Sequence, residues 1–186
     1  METVLSIFVG ISLSAAAGFR VFVPLLVMSI AANTGHLSLT SGFEWIGTTP
    51  ALVAFSIATL FEILAYYIPF VDNLLDTIAT PAAVVAGVIL TASTVTGLSP
   101  FLSWSLAIIA GGGIAATVQS ITGVTRLAST TTTGGVANPA VSTAELGGAT
   151  LLSGLAIFIP VAGIILVGII IVWGIGRIRR KSTAPH

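Results

Sequence analysis

Apolar residues run through this chain in five long stretches separated by short polar connections. The first runs from Val4 to Ala32. A helix that crosses a bilayer takes about 20 residues, so this stretch is long enough to tilt or to break. Ser6, Gly10, Ser14 and Gly18 recur at a spacing of four, which puts them on one helix face. Small residues there let a neighbouring backbone approach closely, so they predict a packing face. Arg20 and Pro24 follow, and an interior proline opens the helix ladder, so a break is expected between Gly18 and Pro24.

Asn33 to Thr49 is the one substantial connection. Trp45 beside Glu44 suits a headgroup-level anchor, and His36, with no partner at ligand spacing, reads as a surface histidine. Pro50 to Ile68 is the second apolar stretch. It carries Ser56, Thr59, Glu62 and Tyr66 as a polar stripe, and a carboxylate at that depth is expected to face the bundle interior or a wet cavity. Pro69 to Thr80 is short and amphipathic. Asp72 and Asp76 fall on one side and Phe70, Leu74 and Ile78 on another, which predicts an interfacial or re-entrant helix. Pro81 to Val95 and Pro100 to Thr125 are the third and fourth stretches, the latter ending in a polar stripe of Gln119, Thr122 and Arg126.

Ser129 to Thr133 present five consecutive hydroxyls, followed by Gly134, Gly135 and the helix-start pair Asn138-Pro139. This predicts a polar connection that folds back to line a site. Ala140 to Gly176 is the fifth stretch, apolar except for Glu145 and too long for one straight span. It is read as one helix broken at Pro160, because no polar turn residues support two helices meeting there. A basic run from Arg177 to Lys181 closes the pattern. By the positive-inside rule it marks a cytoplasmic end, which leaves a single membrane domain over 1–176 and a basic tail over 177–186.

Composition fixes the solvent. The chain of 186 residues is 55% hydrophobic and only 6% charged, against roughly 25% charged in soluble domains. Such a chain cannot cover itself with a solvated surface, so its partner is the lipid bilayer. The N-terminus lacks a basic leader, offers Glu2 instead, and stays apolar past Ala15-Ala16-Ala17, so it reads as a retained first membrane helix rather than a signal peptide. The absence of cysteine excludes thiolate chemistry and cysteine-based metal sites. Gly111, Gly113 and Ala116 imitate a dinucleotide-binding fingerprint, but no strand or βαβ context surrounds them.

Thr49-Pro50, Thr80-Pro81, Ser99-Pro100 and Asn138-Pro139 each pair an N-cap residue with a proline suited to the first helical position. They suggest an internal repeat of two hairpins, the second lengthened by the Ser/Thr-Gly stretch. The alternative is repeated use of one good helix-start signal.

The segments Gly18-Phe19-Arg20-Val21-Phe22-Val23-Pro24, Phe43-Glu44-Trp45, Asp72-Asn73-Leu74-Leu75-Asp76-Thr77-Ile78-Ala79-Thr80-Pro81 and Thr133-Gly134-Gly135-Val136-Ala137-Asn138-Pro139 resemble the bacterial membrane proteins called domain of unknown function 4126. The resemblance runs to about Pro160. It implies a small polytopic protein of the bacterial inner membrane and carries over no catalytic residue.

The expected fold is an all-α membrane bundle of about five spans, six if the chain turns at Pro160, with re-entrant or interfacial helices. Arg20, Glu62, Arg126 and Glu145 lie in or beside apolar stretches and form one candidate constellation. Intramembrane charges are functional candidates by default. Arg20, Arg126, Thr131, Thr132, Thr133 and Asn138 are the expected binding residues for an anionic or amphiphilic cargo, with free amides at a helix start helping to hold it. Glu62 or Glu145 would couple protons, and Asp72 and Asp76 are candidate ion ligands, though no dedicated metal cage is spelled out. Alternatively, the arginines and glutamates neutralise each other as packing pairs.

The expected function is a small transporter or permease acting as a homo-oligomer. The alternatives are a non-transporting scaffold and an ion channel. No cofactor, nucleic-acid partner or enzymatic activity is indicated: His36 and His186 lie in a loop and a tail, and Lys181 is the only lysine.

Overall fold

The computed structural model describes residues 1–68 and 71–182. All regular structure among them is helical. The α-helices are α1 (Glu2–Ala17), α2 (Phe22–Asn33), α3 (Thr49–Ala65), α4 (Val71–Thr94), α5 (Pro100–Leu106), α6 (Gly113–Thr133), α7 (Asn138–Phe158) and α8 (Pro160–Ser182). A 3₁₀ turn at Glu44–Gly47 precedes α3, and a π-helical segment at Ala107–Gly112 joins α5 to α6. Among the described residues three helical paths are long and apolar enough to cross a membrane: Thr77–Thr94, Pro100–Thr133 and Asn138–Phe158. Glu2–Ala17, Phe22–Asn33, Thr49–Ala65 and Pro160–Gly176 are shorter apolar helices. The chain is therefore an all-α membrane helix bundle.

Helix α1 is its centre, with Leu13, Ala15, Ala16 and Ala17 fully buried. The spacing-four stripe explains why. Ser6 Oγ accepts the Thr96 N–H at 3.1 Å, and Ser14 Oγ donates to the Gly87 carbonyl at 2.7 Å. A Cβ on Gly10 would stand 2.6 Å from Thr94 Oγ1, and one on Gly18 2.7 Å from the Ala115 carbonyl oxygen. The stripe thus seats α1 against α4 along most of its length and against α6 at its end. Close backbone approach of this kind is what drives helix association in lipid.

The chain breaks between Gly18 and Val21, as the proline pattern predicts, and it also folds back there. Ser93 Oγ on α4 donates to Met28 Sδ on α2 at 3.3 Å, while neighbouring Thr91 on α4 meets Ser14 of α1 at 2.8 Å. One short stretch of α4 thus lies beside both arms of an α1–α2 hairpin, with Arg20 in its turn. Val9, Leu13, Leu25, Met28 and Leu90 form one core around it, and Ala15, Ala16, Val118, Leu152 and Val167 another.

Three sequence expectations need correction. First, Pro69 to Thr80 is not a separate interfacial helix. From Val71 the chain enters α4, which carries Pro81 in its interior, so Thr80-Pro81 starts nothing. Membrane helices tolerate such prolines where neighbours re-satisfy the freed backbone groups. Second, the Ser/Thr stretch is not a connection but the last turns of α6, which ends at Gly134 in the left-handed conformation (φ 63°). Third, the chain does turn at Ile159-Pro160. A Cβ on Gly163 of α8 would lie 3.4 Å from Ala156 Cα on α7, a contact that only an antiparallel α7–α8 hairpin allows.

Three of the four prolines stand in the first turn of a helix, Pro50 in α3, Pro100 in α5 and Pro139 in α7, and two of those starts carry a side-chain cap. Thr48 Oγ1 caps α3 and Ser99 Oγ caps α5, each accepting an N–H at 3.4 Å. The cap of α3 is Thr48, one residue earlier than the pattern suggests, and α7 starts without a side-chain cap. The two-hairpin repeat loses its symmetry accordingly. Helix α8 continues through the basic run to Ser182, and the side chains of Arg177 to Lys181, like those of Asp72 and Asp76, lie outside the described residues.

Candidate functional site

The α1–α2 turn sets the site. It leaves Arg20 between two helices, 2% exposed, pointing at α7. Arg20 Nη2 donates to the Ser142 carbonyl at 3.0 Å and stands 3.6 Å from Glu145 Oε2. Arg126, near the middle of α6, reaches the same carboxylate. Its Nε donates to Glu145 Oε1 at 3.0 Å, its Nη2 pairs with Glu145 Oε2, and Nη2 also donates to Ser142 Oγ at 3.2 Å. One buried glutamate therefore serves two buried guanidiniums. Removing one partner from such a site strands a charge, which costs about 3–5 kcal/mol.

Tyr66, at the end of α3, completes the arrangement. The Arg20 guanidinium carbon lies 3.8 Å from its ring centroid and that of Arg126 4.2 Å. Stacking on an aromatic face is worth about 0.5–2 kcal/mol per cation, more when desolvated. It offsets part of the repulsion between two like charges brought to one ring. Arg20 Nε and Nη1 are buried and have no hydrogen-bond partner among the described residues.

Glu62, one turn before Tyr66, does something different. Its Oε1 accepts the Val21 N–H at 2.8 Å and its Oε2 the Phe22 N–H at 3.1 Å. These are free amides at the start of α2, where the helix dipole favours negative charge. The carboxylate thus fastens α3 to the turn of the α1–α2 hairpin through backbone rather than through an arginine side chain.

Beside Glu62 a cavity of about 310 Å³ opens between α3 and α4. Its wall is apolar, with Ala58 and Phe61 from α3 and Ile78 and Ala82 from α4, and it reaches Val21, Phe22, Glu62 and Tyr66 at its inner end. Phe61 and Ile78 are exposed, so the cavity opens sideways onto the surface of the bundle.

The structure brings together four of the predicted residues: Arg20, Glu62, Arg126 and Glu145. It does not bring Thr131, Thr132 and Thr133 to them. These three are exposed, and each hydroxyl donates back to its own helix, to the Leu127, Ala128 and Ser129 carbonyls respectively. Asn138 is buried and hydrogen-bonds Thr130 across the α6–α7 turn, Nδ2 to Oγ1 at 3.2 Å, as a fastener of that turn. Tyr66, Ser142 and the Val21 and Phe22 amides belong to the site although sequence reasoning did not assign them there. Only Tyr66 left a signal, on the Glu62 face one turn later. Among the described residues no group of three or more His, Asp or Glu could hold a metal ion.

Fold and site together define an α-helical membrane bundle with a charged cluster buried at a helix break. The chain belongs to the family described as Domain of unknown function (DUF4126), whose sequence model matches residues 7–180. No curated protein matches the chain. No solved structure matches it either.

Proposed function

We propose that this protein is a small permease for an anionic or amphiphilic small molecule, working at the turn of the α1–α2 hairpin. The observation that carries the reading is the pair of buried guanidiniums on Tyr66, set at a helix break inside an apolar bundle. Broken helices that present amides and charges inside the membrane are how transporters hold anions. Glu62 is the better proton carrier of the two acids, because it lines a cavity and takes its hydrogen bonds, among the described residues, from backbone amides. Glu145 is committed to two arginines.

The protein would sit in the bacterial inner membrane as a multi-pass homo-oligomer. The Arg177–Lys181 run supports a cytoplasmic C-terminus. Helix α8 runs parallel to α1, with Gly163 beside Ser12 and Val167 in one core with Ala15 and Ala16, and the α1–α2 reversal adds a pass to the six expected with a turn at Pro160, so Met1 would then face the other side.

The test is uptake of labelled organic anions, from phosphate to decyl sulfonate, into proteoliposomes. Wild type takes up at least one of them, and Arg20→Gln and Glu62→Gln reduce that uptake tenfold or more. Wild-type rates in both variants would remove these residues from the transport path. One observation favours a second reading, a non-transporting scaffold: the cavity is lined by Glu62 and Tyr66 but not by Arg20 or the threonines, and Arg20 and Arg126 already share Glu145. That reading predicts no uptake of any anion by wild type.

A further inference from the structure

The cavity between α3 and α4 has two unlike ends. Its flanks are apolar and open sideways toward the lipid-facing surface, with Ala58 and Ala82 leaving room between the helices. Its inner end holds two backbone N–H groups at the start of the twelve-residue helix α2, and both are taken by a carboxylate that belongs to the protein itself. Arg20, the residue just before those amides, is 2% exposed and keeps two nitrogens without a hydrogen-bond partner among the described residues. An apolar slot ending in N–H donors, with the Arg20 guanidinium stacked on the lining residue Tyr66 rather than in the wall itself, is complementary to an alkyl chain with an anionic head.

We infer that this cavity is a binding seat for a single-chain anionic amphiphile: the chain lies between α3 and α4, and the head takes the Val21 and Phe22 amides in exchange with the Glu62 carboxylate. Glu62 occupies the anion position when no ligand is present. A cavity of about 310 Å³ is at the small end of ligand sites, roughly 300–1,000 Å³, which suits one chain rather than the two of a phospholipid. This rests on the permease reading for its role and deepens it by naming the ligand class and the seat. Binding itself requires no transport.

The experiment measures binding of radiolabelled decyl sulfonate, which stays ionised at all working pH values, to the full-length protein in nanodiscs. Glu62→Gln, which removes the competing charge, binds at least tenfold more tightly than wild type. Ala82→Phe, which fills the slot, binds at least tenfold more weakly, and decyl trimethylammonium binds neither form. A photoreactive decyl sulfonate, applied to the unaltered protein, labels the facing walls around Ala58 and Ala82. Equal affinity in wild type and both variants overturns the seat, as does labelling confined to other helices. Recovery of a two-chain phospholipid that excludes the probe overturns the single-chain assignment. If binding follows the expected pattern but no anion enters proteoliposomes, the permease reading fails and the seat stands. If uptake survives Ala82→Phe, the seat fails and the permease reading stands.

Discussion

Glu62 Oε1 accepts the backbone N–H of Val21 at 2.8 Å, and this contact joins α3 to the turn of the α1–α2 hairpin. Hydrogen bonds to a charged group are worth about 1.5–3 kcal/mol. A glutamine keeps one of the two acceptor oxygens, turns an NH2 donor toward the other N–H group and brings no charge to the helix start. Glu62→Gln is therefore expected to lower the unfolding free energy by about 1–3 kcal/mol, read as a lower midpoint in denaturant-driven unfolding from mixed micelles. An unchanged midpoint would mean the contact carries no weight.

Glu145 is the shared counter-ion, so its loss should be worse than the loss of one arginine. Glu145→Gln leaves two guanidiniums beside each other with no full negative charge between them. The expected cost is about 3–5 kcal/mol. Adding Arg126→Gln removes one of the stranded cations, so the double variant is expected to be more stable than Glu145→Gln alone, with a coupling energy of about 1–3 kcal/mol. A double-mutant cycle under the same unfolding conditions measures it, and additive losses would show that the two residues act independently.

Tyr66 offers both guanidiniums a π face. Phenylalanine keeps that face and leucine does not. Tyr66→Leu is thus expected to lose about 0.5–2 kcal/mol more than Tyr66→Phe. If the two substitutions cost the same, the ring contributes only volume.

What the sequence made legible, and what it hid, follows from where partners come from. The Ser6-Gly10-Ser14-Gly18 face could be read because residues four apart share a helix face whatever they meet. Pro24 likewise marks a break without reference to the rest of the fold. The Ser129 to Thr133 stretch misled because threonine in a helix can satisfy its hydroxyl on the carbonyl one turn back, as Thr131, Thr132 and Thr133 do. A run of hydroxyls is then no evidence of a wet loop. The turn at Ile159-Pro160 carries no polar signal because Pro160 has no N–H to satisfy and the Ile159 N–H still bonds the Leu155 carbonyl at 2.8 Å. Glu62 announced itself as a buried acid, but its partners are backbone amides, which every residue has and no pattern marks.

The same reasoning predicts that the threonines are dispensable. Thr131→Val and Thr132→Val sit on exposed positions and lose only a bond to their own helix. Each is expected to shift stability by no more than about 0.5 kcal/mol and to leave decyl sulfonate binding at its wild-type value. A tenfold loss of binding in either variant would return the Ser/Thr stretch to the site.

Glycines in this bundle divide by what a side chain would meet, and one substitution separates the two kinds. A Cβ on Gly87 would lie 2.7 Å from the Gly111 carbonyl oxygen and 2.7 Å from Ala115 Cβ, both on the chain path of α6 packed against α4. Carbonyl oxygen and backbone cannot swing aside, so α4 and α6 must part. Overpacking of this sort costs about 1–3 kcal/mol. Gly147, on α7, has nothing within 4 Å of such a Cβ. There the alanine only removes glycine's conformational freedom in the unfolded chain, a gain of up to about 1 kcal/mol. Gly87→Ala should therefore lower, and Gly147→Ala preserve or raise, the unfolding midpoint measured in micelles. Equal effects would mean that α4 and α6 do not approach as closely as Gly87 and Gly111 indicate. A loss at Gly147 alone would show that its open face is covered by another helix.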